Sequence, residues 1–301
     1  VPSRGPEPTG DDVPDSAPEV YRLHRPARQS VPLVFASPHS GAAYPAAFLA
    51  GSALDRQAIR SSEDAFVDRL FGCAPDHGAP LLAAQVPRAF VDLNRAADEL
   101  DPAVIDGIGR SAHNPRITSG LGVIPRVVAG GRAIYSGKLP LAEAERRLRR
   151  YWHPYHDLLR RLLDQTRDSF GEAILIDCHS MPHEAIESHA RPGHPRPEVV
   201  LGDRFGAAAG REVMDRVEAA FAAAGLRVAR NAPFAGAYVA QAYGRPSRRV
   251  HVVQVEIDRA LYMDEARIEP APGFDDFRRL IAGVVAELCG AAGREMPLAA
   301  E

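Results

Sequence analysis

Apolar positions along the chain fall into short strand-length runs and longer stretches at helical spacing. The run from Pro32 to Ser37 breaks at Pro38, His39, Ser40 and Gly41, which predicts a core strand ending in a turn. Phe66, Val67, Leu70 and Phe71 then share a helical face, with Ser62 placed to cap that helix. Strand-like segments follow at 81–86 and 90–93. Residues 101–138 show no period and are rich in Gly, Pro and Arg, a composition suited to an active-site wall. Leu148, Trp152, Tyr155, Leu159 and Leu162 predict a helix over 141–166, and Pro154 inside it predicts a kink or a division. Residues 173–177 read as a buried strand leading into Cys178, His179 and Ser180, and 198–201 as another. Residues 205–224 read as an Ala-rich amphipathic helix and 250–257 as the clearest late strand. Phe274, Phe277, Leu280, Ile281, Val284, Val285 and Leu288 predict a closing helix. Strands and helices alternate without repeats or a linker, so a single α/β domain with helices on both sheet faces is expected over 30–295. Residues 1–29, rich in Pro, Gly, Asp and Glu, are expected as a flexible lead-in.

Composition narrows the partners. The 301 residues carry a net charge of −3, with Lys138 as the only lysine, so no broad basic surface for nucleic acid is foreseen. No apolar run approaches membrane-spanning length and the N-terminus has no charged-then-apolar pattern, which points to a cytoplasmic protein acting on a small molecule. Cys73, Cys178 and Cys289 are too scattered for a disulfide framework or a Cys-rich metal knuckle. The sequence carries no signature of oligomeric state. Walker loops, dinucleotide glycine fingerprints, Gly-x-Ser-x-Gly elbows and His-Glu-x-x-His pairs are all missing.

Three of the predicted strands lead into ligand-capable residues: His39, His179 and Glu256. In open α/β sheets such strand ends converge on one crevice. Two histidines and a carboxylate are a common protein ligand set for catalytic zinc, which keeps one position open. The carboxylate is expected from Glu63 or Asp64, although either can also simply favour a helix N-terminus. Alternation puts Asp177 on the face of His179, where it can orient that imidazole, and leaves Cys178 as a packed thiol. Gln254 shares a face with Glu256, whose carboxylate is either a working general base or the partner of Arg259 or another arginine. In Arg88-Ala-Phe-Val-Asp-Leu-Asn-Arg95, Arg95 and Asn94 suit carboxylate binding, Arg88 can hold a developing oxyanion, and Asp92 is expected to pair internally. Arg126 can reach a substrate anion, and Tyr238 either lines the pocket or packs as a turn aromatic. His183, His189 and His194 read as exposed loop residues.

Taken in order, Ser37-Pro-His-Ser-Gly41, Glu63-Asp-Ala-Phe-Val-Asp-Arg-Leu70, Val91-Asp-Leu-Asn-Arg95, Gly122-Val-Ile-Pro-Arg126, Asp177-Cys-His-Ser-Met-Pro182, Phe234-Ala-Gly-Ala-Tyr238 and Gln254-Val-Glu-Ile257 resemble the N-formylglutamate amidohydrolase family over roughly residues 30–290. The resemblance implies an architecture similar to zinc carboxypeptidases, aspartoacylases and succinylglutamate desuccinylases: a three-layer α/β/α sandwich with a mixed central sheet, phosphorylase/hydrolase-like. It implies one Zn2+ per chain at His39, His179 and an acid. Carboxypeptidase relatives place that acid just after the first histidine, where Ser40-Gly-Ala offers none; Asp64, the more regular feature of the family, is preferred to Glu63. It further implies Glu256 as catalytic base and Arg88 as the group polarising the scissile carbonyl. Asn94, Arg95, Arg126 and Tyr238 are expected around the substrate. The implied reaction takes N-formyl-L-glutamate to formate and L-glutamate, as in histidine degradation. Another N-acyl amino acid or short peptide as substrate, or a non-catalytic binding protein on the same scaffold, are the alternatives.

Overall fold

A computed structural model describes residues 19–109, 114–187 and 196–294. Seven strands form one mixed sheet: β1 (Tyr21–His24), β2 (Leu33–Ser37), β3 (Leu81–Ala84), β4 (Ala173–Met181), β5 (Val199–Gly202), β6 (Val228–Arg230) and β7 (Val250–Asp258). Their spatial order is β1-β3-β2-β4-β7-β5-β6. The central strands β3, β2, β4 and β7 run parallel, while β1 and β5 pair antiparallel with β3 and β7. Parallel strands covered on both faces bury every side chain, and β2, β4 and β7 are buried throughout.

Alternation along these strands feeds two separate cores. Phe35, Ile176, Cys178, Val253 and Val255 face one layer, built on helices α1 (Val67–Leu70), α5 (Arg211–Ala223) and α7 (Phe274–Arg294). Val34, Leu175 and Val252 face the other, which holds α3 (Leu141–Arg147), α4 (His153–Phe170) and α6 (Tyr238–Tyr243). A short helix, α2 (Pro115–Thr118), lies in the aperiodic stretch. The result is the expected α/β/α sandwich in one domain.

Several local expectations are corrected. Tyr21–His24 is a sheet strand, so the folded unit starts before residue 30; residues 1–18 lie outside the described residues. Residues 90–93 form no strand: the buried run turns back on Pro87, and Asp92 N donates to Val123 O at 2.8 Å. The helix expected from Phe205 begins at Arg211, because Arg204, Phe205 and Gly206 all have positive φ. Ser62 caps nothing: it ends a 3-10 turn, and α1 begins after Phe66. Pro154 does not divide its helix. The helix runs on through it, with a π-helical turn at Leu148–Trp152 just before it and right-handed helical φ/ψ at Trp152 and His153, so a local change of winding accommodates the proline.

Candidate active site

The parallel register sets the centre of the site. His179 and Glu256 are direct neighbours on β4 and β7, and Asp177 pairs with Gln254 one pleat below. His39 lies just past the end of β2, in a turn that needs Gly41: a Cβ there would come 2.2 Å from Val86 O. Asp64 is tied to this turn by its backbone N–H, which donates to His39 O at 3.1 Å.

These placements bring together His39, Asp64 and His179, all buried, with one ligand atom from each within 4.8 Å of the others. His179 Nδ1 and His39 Nδ1 approach the same oxygen, Asp64 Oδ2, at 2.9 and 3.4 Å. The remaining nitrogen of each ring faces a carboxylate: His39 Nε2 bonds Asp92 Oδ1 at 2.7 Å, and His179 Nε2 lies 3.1 Å from Asp177 Oδ2. Asp64 Oδ1 accepts from Arg259 Nη2 at 2.9 Å, which leaves Oδ2 for the centre. This donor set fits a metal on two counts. His39 Nδ1 is buried without a hydrogen-bond partner, and each ring is held through its Nε2, by the Asp92 carboxylate for His39 and by the Asn94 side-chain amide at 3.1 Å for His179, so that both Nδ1 atoms turn to the centre. Electrostatics agree. Against the cost of burial, the hydrogen bond with His179 and the proximity of His39 and Arg88 hold Asp64 well below the usual carboxylate range, while Asp177, Asp64 and Glu256 push His179 well above its ordinary value. Such a field favours a cation. Glu63, the alternative ligand, instead bonds Tyr44 Oη at 2.7 Å and Arg60 Nε at 3.0 Å, away from the centre.

The two histidines of the triad open onto a cavity of about 560 Å³, into which Glu256, Arg88, Asn94 and Arg95 also face. Glu256 accepts from Gln254 Nε2 at 2.8 Å. Burial and the nearby Asp64 carboxylate push its carboxyl up to about 7, against the pull of His179, Arg88 and Arg259. Arg88 pairs with Asp92 Oδ2 at 3.0 Å and lies 3.8 Å from Asp64 Oδ1. The loop carrying Asp92, Asn94 and Arg95 is held from the helical layer: Trp152 Nε1 donates to Arg95 O at 2.9 Å, His156 Nε2 meets Leu93 O at 2.9 Å, and Arg147 Nη1 donates to Phe90 O at 3.0 Å. Burial pulls His156 down to about 3, so at neutral pH its ring is uncharged and Nε2 carries the proton that Leu93 O accepts.

Two expected substrate contacts are not brought to the cavity wall. Arg126 is bound to Asp101 Oδ2 at 3.0 Å, and the Tyr238 ring packs on Trp152 and His156. Arg259 meets Asp64 and Ser180 rather than Glu256, a role that the spacing of Glu256 and Arg259 alone did not indicate. Arg116 also lines the cavity; it sits in the aperiodic stretch, where no pattern marked it. His183 pairs with Asp258, whereas His189 and His194 lie outside the described residues.

The fold and this site define an amide-hydrolysing enzyme with a candidate metal centre. A family model described as N-formylglutamate amidohydrolase matches residues 31–263. An N-formylglutamate deformylase of Pseudomonas aeruginosa is 33% identical over 241 residues, covering 79% of this chain and 84% of the relative. The Pseudomonas putida deformylase is 31% identical over 238 residues, covering 78% and 83%. The crystal structure of N-formylglutamate amidohydrolase from Ralstonia eutropha JMP134 superposes with a TM-score of 0.85 at 35% identity, covering 91% of this chain and 98% of that one. A gene product of Agrobacterium tumefaciens shares the fold at 17% identity, with a TM-score of 0.63 over 92% and 95% of the two chains. The chain belongs to the N-formylglutamate amidohydrolase family. Among the described residues no helix is long and apolar enough to cross a membrane.

Proposed function

We propose that this chain hydrolyses N-formyl-L-glutamate to formate and L-glutamate, the closing step of histidine breakdown, with one zinc ion held by His39, Asp64 and His179. The observation that carries the reading is the meeting of that triad with Glu256 and Arg88 at one cavity, in a member of this family. Zinc at the triad supplies Lewis acidity, making water acidic near neutral pH and polarising the formyl carbonyl. Glu256, with its carboxyl raised to about 7, takes a proton from the attacking water. The water oxygen bonds to the formyl carbon, and Arg88 donates to the carbonyl oxygen as negative charge gathers there. Glu256 then delivers the proton to the departing nitrogen as the C–N bond breaks. Arg95 and Asn94 hold the α-carboxylate. Asn94 is fixed in place, with Val239 N donating to its Oδ1 at 2.8 Å and its amide nitrogen 3.1 Å from His179 Nε2.

Incubating zinc-loaded protein with N-formyl-L-glutamate should release formate and glutamate in equal amounts. Release only from other N-acyl amino acids would move the reading to a different substrate. No release from any N-acyl amino acid, with zinc demonstrably bound, would sink it.

A further inference from the structure

Four arginines reach the cavity, and their partners differ. Arg88 and Arg259 are committed to Asp92 and Asp64. Arg95 is not: its Nε and Nη1 donate to the carbonyl oxygens of Leu121 and Asn94, both at 2.8 Å. Among the described residues no carboxylate forms an ion pair with this buried guanidinium. Burial, with Arg88 and Arg116 nearby, pulls its pKa down from the ordinary value despite Asp92 and Glu99, the mark of a cation short of counter-charge. Arg116 stands on the same wall. Its backbone N–H is fixed by Asn114 Oδ1 at 2.9 Å, and its side chain meets Glu99 only at 3.7 Å through Nη1. The oxygen it meets, Glu99 Oε1, also accepts from Ala96 N at 3.3 Å, and the 3.7 Å separation is beyond hydrogen-bond reach, so this contact is a loose one.

A ligand with one carboxylate answers one of these two guanidiniums and leaves the other facing an empty or apolar group. A ligand with two answers both. We infer that Arg116 is a specificity-determining residue that binds the side-chain carboxylate of a dicarboxylic N-formyl amino acid, beside Arg95 on the α-carboxylate. The assignment rests on the deformylase reading above and adds to it the group that tells glutamate from glutamine. A site built on charge discriminates against the neutral isostere, because the half-buried guanidinium then faces a group that returns no counter-charge.

The test compares N-formyl-L-glutamate with N-formyl-L-glutamine, which differ by one charge at nearly constant shape. Wild type should prefer the glutamate compound. In Arg116→Ala, kcat/KM for N-formyl-L-glutamate should fall roughly 10- to 100-fold further than for the glutamine compound, mainly through KM. Arg116→Lys should restore part of the preference. Equal losses for both substrates, or an unaltered preference, would overturn the assignment and return Arg116 to a structural partner of Glu99. Calorimetric binding of the products L-glutamate and L-glutamine to the same zinc-loaded proteins judges Arg116 independently of turnover: Arg116→Ala should erase the difference between them, and an intact difference overturns the assignment. A wild type that releases no formate, yet binds glutamate better than glutamine through Arg116, would sink the deformylase reading and leave the residue assignment standing.

Discussion

Glu256 and Asp64 are two buried carboxylates under opposite constraints. Asp64 accepts from Arg259 and His179, with His39 close by, and stays ionised far into acid; Glu256 accepts from one amide, and burial keeps its proton until about pH 7. The first is suited to holding a cation and the second to moving a proton. Glu256→Gln preserves shape and the cavity wall but cannot cycle a proton, so kcat should drop by about 10²- to 10⁴-fold with zinc stoichiometry unchanged. Metal analysis beside steady-state kinetics checks this, and a variant with bound zinc and full turnover removes Glu256 as the base. The sign of the pH dependence follows. The base works deprotonated, so kcat/KM of the wild type should rise with pH along a limb at or below pH 7, since a nearby dication draws the carboxyl further down. Arg259 acts through Asp64. Arg259→Ala frees Asp64 Oδ1 and should weaken zinc affinity by about 10- to 100-fold, as loss of an orienting partner does at other metal sites. Competition with a chelating dye reads it, and an unaltered affinity would show that Asp64 is held without Arg259.

At the level of elements, the site is a set of loops held by two packed layers. Trp152 and His156, one turn apart across the start of α4, grip the backbone on both sides of Asn94. Trp152→Phe leaves a buried carbonyl at Arg95 unpaired, costing about 1–3 kcal/mol. Urea unfolding should show the loss, and KM should rise because Arg95 is no longer fixed; a variant with wild-type KM would mean that the loop is positioned from elsewhere. The same level explains what could be read from the chain in advance. His39, His179 and Glu256 were visible because they follow from strand ends, where an apolar run stops abruptly at a polar group. Asp64 was one of two adjacent acids, and what separates it from Glu63 is tertiary: its N–H is bonded to His39 O, while the Glu63 carboxylate is taken by Tyr44 and Arg60. Arg116, Arg126 and Arg259 could not be sorted by spacing. A guanidinium at the end of a long side chain can turn to whichever carboxylate the loops bring near, and the loop conformations of 101–138 have no period to read. The failed strand at 90–93 has a similar cause: its residues are buried by a turn against the 120s loop, and burial alone does not distinguish strand from turn.

For the molecule as a whole, the proposed zinc site would couple metal, protons and folding. The metal-free chain stores part of its stability in this cluster. Asp64 and Asp92 are depressed in the folded state, so their contribution is present above about pH 4, near the carboxylate value of an unfolded chain, and is lost as pH falls through the folded values. His179 is raised, so its contribution is complete below about pH 6.5 and disappears as pH rises through the folded value. A metal ligand must be deprotonated, so zinc and that histidine proton exclude one another. Metal binding at low pH therefore releases a proton the fold had stabilised, whereas at high pH that proton is already gone. Zinc at a hundred times its dissociation constant adds about 2.7 kcal/mol to stability, roughly 4–5 °C in Tm for a chain of this size. At fixed zinc concentration this increment should be larger at pH 8.5 than at pH 6, while the metal-free protein loses the His179 contribution over the same interval. Calorimetric melts of metal-free and zinc-loaded protein at the two pH values measure both arms. An increment independent of pH, or larger at pH 6, would mean that zinc binds somewhere other than His179. The same increment should vanish in His39→Ala, since that residue's unpartnered nitrogen is the triad's clearest candidate metal-ligand atom.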